Sequence, residues 1–178
     1  MRIGVYGGSF NPPHVGHAMV ASWVLWTEQA DEVWLMPTFA HAFSKQLAPF
    51  EDRMAMLREV CAALGAGARV DPLERDLPSP SYTIDTLDEL ARRHPEHQFH
   101  LICGSDTLDD TDSWKDWDRI ERDYRPIIAG RAGYREIAGV PSFPGVSSTD
   151  VRRRLAAGES VDRLVPAGVL RLAAALYR

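Results

Sequence analysis

The chain has 178 residues, 45% of them hydrophobic and 25% charged, with a formal net charge of -5. That length suits one domain with a sizeable core and is short for two, and no apolar run approaches the roughly 20 residues a bilayer span requires. The acidic balance argues against a general nucleic-acid surface, which carries a basic stripe, but it is compatible with a small anionic ligand held by a few cations in one cleft.

In chain order, RIGVY (2–6) reads as a short buried strand, and GGSFNPPHVGH (7–17) leaves its end as a loop. Residues 15–29 follow as a helix and EVWLMP (32–37) as a second strand. After a polar loop over 38–49 the pattern predicts a helix over 51–64, with Met54, Leu57 and Cys61 on one face. ARVDPL (68–73) is a weak third strand. Residues 82–94 form a helix with Ile84, Leu87 and Leu90 at helical spacing, capped by Ser79 or Ser81. QFHLICG (98–104) is a fourth strand and RPIIAG (125–130) a fifth. Between them the acidic run from Asp106 to Asp123 reads as solvated charge, since it lacks the alternating carboxylates and central glycine of a calcium loop. A loop rich in Gly and Pro covers 130–146, and helices over 148–157 and 166–177 follow.

Strands separated by helices of this length predict a Rossmann-like, doubly wound α/β fold: a parallel sheet with helices on both faces, in a single domain over 1–178. In such sheets ligands bind at the carboxyl ends of the strands, where strand order reverses. GGSFNPPHVGH sits at such an end. Cys61 in a helix and Cys103 at the end of a strand read as two buried thiols, not a disulfide framework. With no signal-like opening and no membrane span, the expectation is a cytoplasmic protein.

The opening loop carries the chemistry. Gly7 and Gly8 let backbone amides approach a ligand closely, while Pro12 and Pro13 stiffen the turn and reduce the entropy lost on binding. His14 and His17 fall three residues apart at the start of a helix, on one side of it. A helix N-terminus already favours anions, and two imidazoles add donors aimed at the same place. The two histidines lack a further Cys, His or Glu at metal-ligand spacing, so no residue is assigned to a metal. A phosphate cradle fits the pattern better than an incidental Pro-Gly turn.

Two later stretches repeat the theme less specifically. In VSSTDVRRRL (146–155), Ser147 or Ser148 can cap a helix with Asp150 in its first turn, leaving amides and hydroxyls as a second anion site with Arg152 one turn on. Read alone, it is equally a capped amphipathic helix with a solvated arginine face. In CGSD (103–106), Asp106 can accept ribose hydroxyls, cap a helix, or do both. Trp114 in SWKDW (113–117) offers a flat face to a cationic ring, whereas Trp117 reads equally well as a core residue.

GSFNPPHVGH resembles the GxFDPxHxGH signature of the HxGH nucleotidyltransferase superfamily, CGSD its G-x-D element and VSSTDVRRRL its I-S-S-T-x-I-R element. With PSYTIDTLDEL (80–90) and SWKDW, the spacing is similar to that of bacterial nicotinate mononucleotide adenylyltransferases from Arg2 to Tyr177. The resemblance implies that Gly7, Gly8, Ser9, Phe10, Gly104 and Asp106 bind ATP, and that Ser148, Thr149 and Arg152 hold its phosphates. It implies catalytic roles for His14, His17, Lys45 and Arg152, and places the pyridine ring and its carboxylate on Trp114, Tyr82 and Thr83. Mg²⁺ would accompany ATP. Two departures stand out: Asn11 replaces the usual Asp, and HAFSK (41–45) stands where the family pattern runs P-P-H-K. Lys45 is carried over as a phosphate contact, His41 is not assigned, and Arg53 is placed as a brace for this loop.

The implied reaction is ATP plus nicotinate mononucleotide giving nicotinate adenine dinucleotide and pyrophosphate, a step of NAD biosynthesis. Nicotinamide-mononucleotide or pantetheine-phosphate adenylyl transfer is the alternative within enzymes; a non-catalytic nucleotide sensor is the alternative outside them. The expected partners are ATP and nicotinate mononucleotide, with no nucleic acid, no membrane and a possible homo-oligomer.

Overall fold

The computed structural model describes residues 1–39 and 47–177. Its strands are β1 (Arg2–Gly8), β2 (Glu32–Pro37), β3 (Ala68–Val70), β4 (Gln98–Gly104), β5 (Ile127–Arg131) and β6 (Ser142–Phe143). The helices are α1 (Val15–Trp26), α2 (Phe50–Leu64), α3 (Thr83–Arg93), α4 (Trp117–Tyr124), α5 (Ser148–Ala156) and α6 (Ala167–Tyr177). The six strands lie in the order β3-β2-β1-β4-β5-β6, every pair parallel. This is the doubly wound order expected of a Rossmann-like sheet, with its reversal between β1 and β4.

Period-two alternation explains the two cores. Val33 and Leu35 of β2, with Ile102 of β4 and Ala129 of β5, pack under α1, α2, α5 and α6. Trp34 and Met36 of the same β2 point the other way, joining Ile3, Val5, Phe99 and Leu101 beneath α3 and α4. A strand buried on both faces needs apolar residues at every position, which is why EVWLMP reads as a continuous run. Cys61 and Cys103 are free and buried, as expected. No described helix is long and apolar enough to cross a membrane.

Several local expectations change: the strand expected over 68–73 ends at Val70, and the loop expected over 130–146 contains β6. The helix expected over 15–29 ends at Trp26, because Glu28 adopts a left-handed φ of 54° that closes it. The expected cap on α3 is not Ser79 or Ser81 but Tyr82; the Ser81 hydroxyl is instead given to Glu74 at 2.5 Å. Within the acidic run, WDRIERDY folds as α4, with Ile120 and Tyr124 buried and Trp117 packed on the α3 core. Its charged residues dominate the composition and hide an apolar spacing of three and four.

The last strand depends on a bare backbone. Gly130 of β5 lies opposite Ser142, and a Cβ there would stand 2.5 Å from the Pro141 carbonyl oxygen. Backbone cannot swing aside as a side-chain tip can, so Gly130→Ala must push β6 away. We expect that variant to lose about 1–3 kcal/mol in urea unfolding, as overpacked sites do; an unchanged midpoint would contradict the close approach.

Candidate active site

A cleft of about 760 Å³ opens at the carboxyl ends of β1, β4 and β5. Gly7, Gly8, Ser9, His14 and His17 form one side, Gly104, Asp106 and Arg131 its middle, and Tyr82, Thr83 and Trp114 the far side. All of these except Arg131 are residues singled out in the sequence, and the fold brings them together. His41 and Lys45 lie outside the described residues.

The loop after β1 is held by side chains from far along the chain. Arg53, 1% exposed, donates to the Ser9 carbonyl at 2.9 Å and to the Ala48 carbonyl at 3.0 Å. Arg152 donates to the Asn11 carbonyl at 2.6 Å, and the Ser148 hydroxyl to the Pro12 carbonyl at 2.8 Å. Asn11 is itself buried, its side-chain oxygen accepting from the Ala48 N–H at 3.0 Å and from the Tyr177 hydroxyl. Pro12 and Pro13 offer no N–H, so this turn is rich in acceptors and short of donors. Side chains supply what the backbone lacks.

Phe10 does not face the cleft. With φ of 44° it folds under the loop, 1% exposed, against the edges of Tyr6 and His17 at 5.8 and 4.8 Å between ring centroids. Ser148, Thr149 and Arg152 stand behind the loop and outside the cleft lining, Arg152 also reaching the Thr149 hydroxyl at 3.4 Å. Ser147, not Ser148, caps α5, accepting from the Asp150 N–H at 3.1 Å. Ser148 is thereby freed to hold Pro12.

The two imidazoles lie one on the other, centroids 3.7 Å apart and planes 19° apart. The His14 N–H donates to Nδ1 of His17 at 3.1 Å, so a neutral His17 carries its proton on Nε2 and is a donor there. Nδ1 of His14 is buried without a partner among the described residues. Gly16 explains how the ring fits: a Cβ there would come within 3.0 Å of that Nδ1. Burial, reinforced by the Arg131 guanidinium, pushes the His14 pKa down to about 4. Burial, then the neighbouring His14 and Arg131, holds His17 well below the usual imidazole range. Both shifts favour the neutral forms near pH 7.

Arg131 is a site residue that the sequence did not single out. It ends β5 and forms an ion pair with Asp106 at 2.6 Å. Asp106 is folded back over Gly104, whose missing Cβ leaves room for the carboxylate. A signal existed only in its position, since an arginine at the carboxyl end of a strand faces the ligand edge of such a sheet.

On the far side, Tyr82 caps α3 and Thr83 begins it, both lining the cleft. Trp114 is half-buried, edge-on to Trp117 at 5.5 Å. Lys115 bonds Asp85 at 2.7 Å and lies 5.1 Å from the Tyr82 ring centroid. Glu74, also missed in the sequence, accepts from the Ser81 and Thr86 hydroxyls and fixes the start of α3.

The described cleft therefore joins the stacked histidines of the first loop, the Asp106–Arg131 ion pair, and the Tyr82–Thr83 helix start with Trp114. Residues 5–154 match the cytidylyltransferase-like family model. A chain from Anaeromyxobacter sp. (strain K), named "probable nicotinate-nucleotide adenylyltransferase", is 49% identical over 173 residues, covering 96% of this chain and 92% of that one. A chain of the same name from Thermus thermophilus is 37% identical over 176 residues, covering 95% and 94%. Among solved structures, the Plasmodium falciparum nicotinic acid mononucleotide adenylyltransferase complexed with NaAD superposes with a TM-score of 0.79 over 96% of this chain and 93% of that one. At 19% identity that likeness speaks for the fold. By the family model and by its relatives along nearly the whole length, this chain belongs to the nicotinate-nucleotide adenylyltransferases of the cytidylyltransferase-like family.

Proposed function

We propose that the protein transfers the adenylyl group of ATP to nicotinate mononucleotide, giving nicotinate adenine dinucleotide and pyrophosphate. One observation carries this reading: a stacked histidine pair and the aromatic residues Tyr82 and Trp114 at a helix start line one cleft. A 5′-phosphate oxygen of the mononucleotide attacks the α-phosphorus of ATP. The bond from that phosphorus to the α,β-bridging oxygen breaks, and pyrophosphate leaves. The phosphate's second pKa is about 6, so the nucleophile is ionised near neutral pH and needs no general base.

The protein's part is alignment and charge stabilisation. His17 Nε2–H and the imidazole of His14 are assigned to the phosphates, with Gly7, Gly8 and Ser9 lining their approach. Thr149 and the remaining donors of Arg152 are assigned to the triphosphate, and Lys45 is kept as a phosphate contact. Asp106 is assigned to ribose, positioned by Arg131. Trp114 stacks on the pyridinium, and the α3 amides near Thr83 take its carboxylate. The carboxylates lining the cleft are all engaged: Asp106 by Arg131 at 2.6 Å, Asp110 by Ser113 at 2.8 Å, and Glu74 by two hydroxyls. That donor set suits an Mg²⁺ carried by the phosphates and water, where it neutralises their charge, rather than one caged by protein.

The test is kcat/KM for nicotinate and nicotinamide mononucleotides at saturating ATP. The amide brings donors against donors and leaves buried groups unpaired at about 1–3 kcal/mol each, so a preference of about tenfold or more for nicotinate is expected. Trp114→Ala should raise KM for both and keep their ratio. A preference for the amide would overturn the nicotinate assignment.

For the cradle, His17→Ala should lower kcat by about two to three orders of magnitude, as for other lost transition-state donors, with the far-UV circular dichroism unchanged. Normal turnover would remove His17 from the chemistry.

The depressed pKa of His14 sets a pH response. Between pH 6.5 and about 4 the unfolded chain binds this proton and the native state does not, so stability falls as pH drops across that window. A phosphate beside the ring favours its charged form, so ATP binding takes up a proton and tightens as pH falls from 7 toward 5. Calorimetry at pH 6 in two buffers of different ionisation enthalpy should show more proton uptake for the natural protein than for His14→Ala; equal uptake would contradict it.

A further inference from the structure

We propose that His94, Glu96 and His97 form a binding site for a zinc-class divalent cation, at the opposite edge of the sheet from the catalytic cleft. The three residues lie in His94-Pro95-Glu96-His97, the turn that carries the chain from α3 into β4. The cleft opens at Gly104, the other end of β4, about 20 Å away for a seven-residue strand.

The turn is built to hold its side chains together. The His97 N–H donates to the His94 carbonyl at 3.0 Å, closing a β-turn with Pro95 at its second position, where proline is favoured. The rings of His94 and His97 are nearly parallel, 14° apart, with centroids 5.9 Å apart. Both stand edge-on to Trp34, at 5.3 and 6.0 Å, and Phe99 lies behind them. Trp34 and Phe99 are core residues, so this wall is rigid. Glu96 closes the open side.

One ligand atom from each residue lies within 4.8 Å of the others. Nε2 of His97 is 3.4 Å from Oε1 of Glu96, and Nδ1 of His94 is 3.8 Å from the same oxygen. Ligands at about 2.0–2.1 Å from a tetrahedral zinc are about 3.3–3.5 Å apart, so closure needs only small rotations. Hydrogen bonding leaves His94 and Glu96 underused, since 3.8 Å is beyond hydrogen-bond reach. Two imidazoles and one carboxylate select a borderline ion such as Zn²⁺ or Co²⁺ over Mg²⁺ or Ca²⁺. Bound there, the ion clips the end of α3 to the start of β4.

Untagged full-length protein is titrated with Zn²⁺ by calorimetry and with Co²⁺ by visible absorption. One equivalent is expected, with the intense absorption of a tetrahedral cobalt site and a rise in Tm. Glu96 is exposed, so Glu96→Gln cannot fail by unfolding; it should weaken that equivalent by at least about tenfold. The double variant His94→Ala/His97→Ala should lose it while keeping adenylyl transfer within about twofold. A double variant of His14 and His17 to Asn should keep it. Equal binding by the natural protein and Glu96→Gln, or loss of the equivalent only in the His14/His17 variant, would overturn the proposal.

Discussion

The site depends on three backbone acceptors of one turn finding donors. Ser9, Asn11 and Pro12 turn their carbonyls toward Arg53, Arg152 and Ser148, and two prolines deprive the turn of the amides that could have served instead. An acceptor buried without a partner costs about 1–3 kcal/mol, so a loop of this composition is ordered only while α2 and α5 stand against it. Arg53 shows the strength of the demand. Burial lowers its pKa, yet the guanidinium remains charged and directed at carbonyl oxygens.

Once the loop is fixed, the histidines acquire their properties from their surroundings. Two rings at 3.7 Å, buried and beside an arginine, are both pushed toward their neutral forms. They are polar donors in a pocket whose nearby guanidinium, that of Arg131, is already balanced by Asp106. An arriving polyanion changes that balance at once. The same neighbours that keep the cradle neutral make it responsive to negative charge, which separates this arrangement from a standing cluster of lysines.

The layout was legible where chemistry is local. RIGVY, EVWLMP and QFHLICG declare strands by their largely apolar runs, and the glycine, proline and histidine content of the first loop marks the loop that lines the cleft. Contacts between distant segments were not. Arg131 reads as one arginine among many until β5 places it beside Asp106. Arg152 and Ser148 matched a phosphate-binding pattern, and nothing in their spacing said that they also hold Asn11 and Pro12. Phe10 looked like part of the cradle because it lies inside the motif; its positive φ turns it into the core. Helix α4 was concealed by composition, as Ile120 and Tyr124 are two apolar anchors among charges.

The bracing of the first loop has a consequence for synthesis. Its partners at Ser148, Arg152 and Tyr177 lie 136, 141 and 166 residues downstream. A ribosome therefore makes the glycine loop long before it makes these supports. A nascent chain carrying β1 to β6 has both histidines but not yet the donors at Ser148, Arg152 and Tyr177. The bracing of this loop is thus completed late in translation, with the emergence of α5 and α6. A product truncated before Ser148 lacks α5, α6 and their connection, which supply Val151, Leu155, Val161, Val165, Val169 and Ala173 to one of the two cores, as well as the donors to the Asn11 and Pro12 carbonyls.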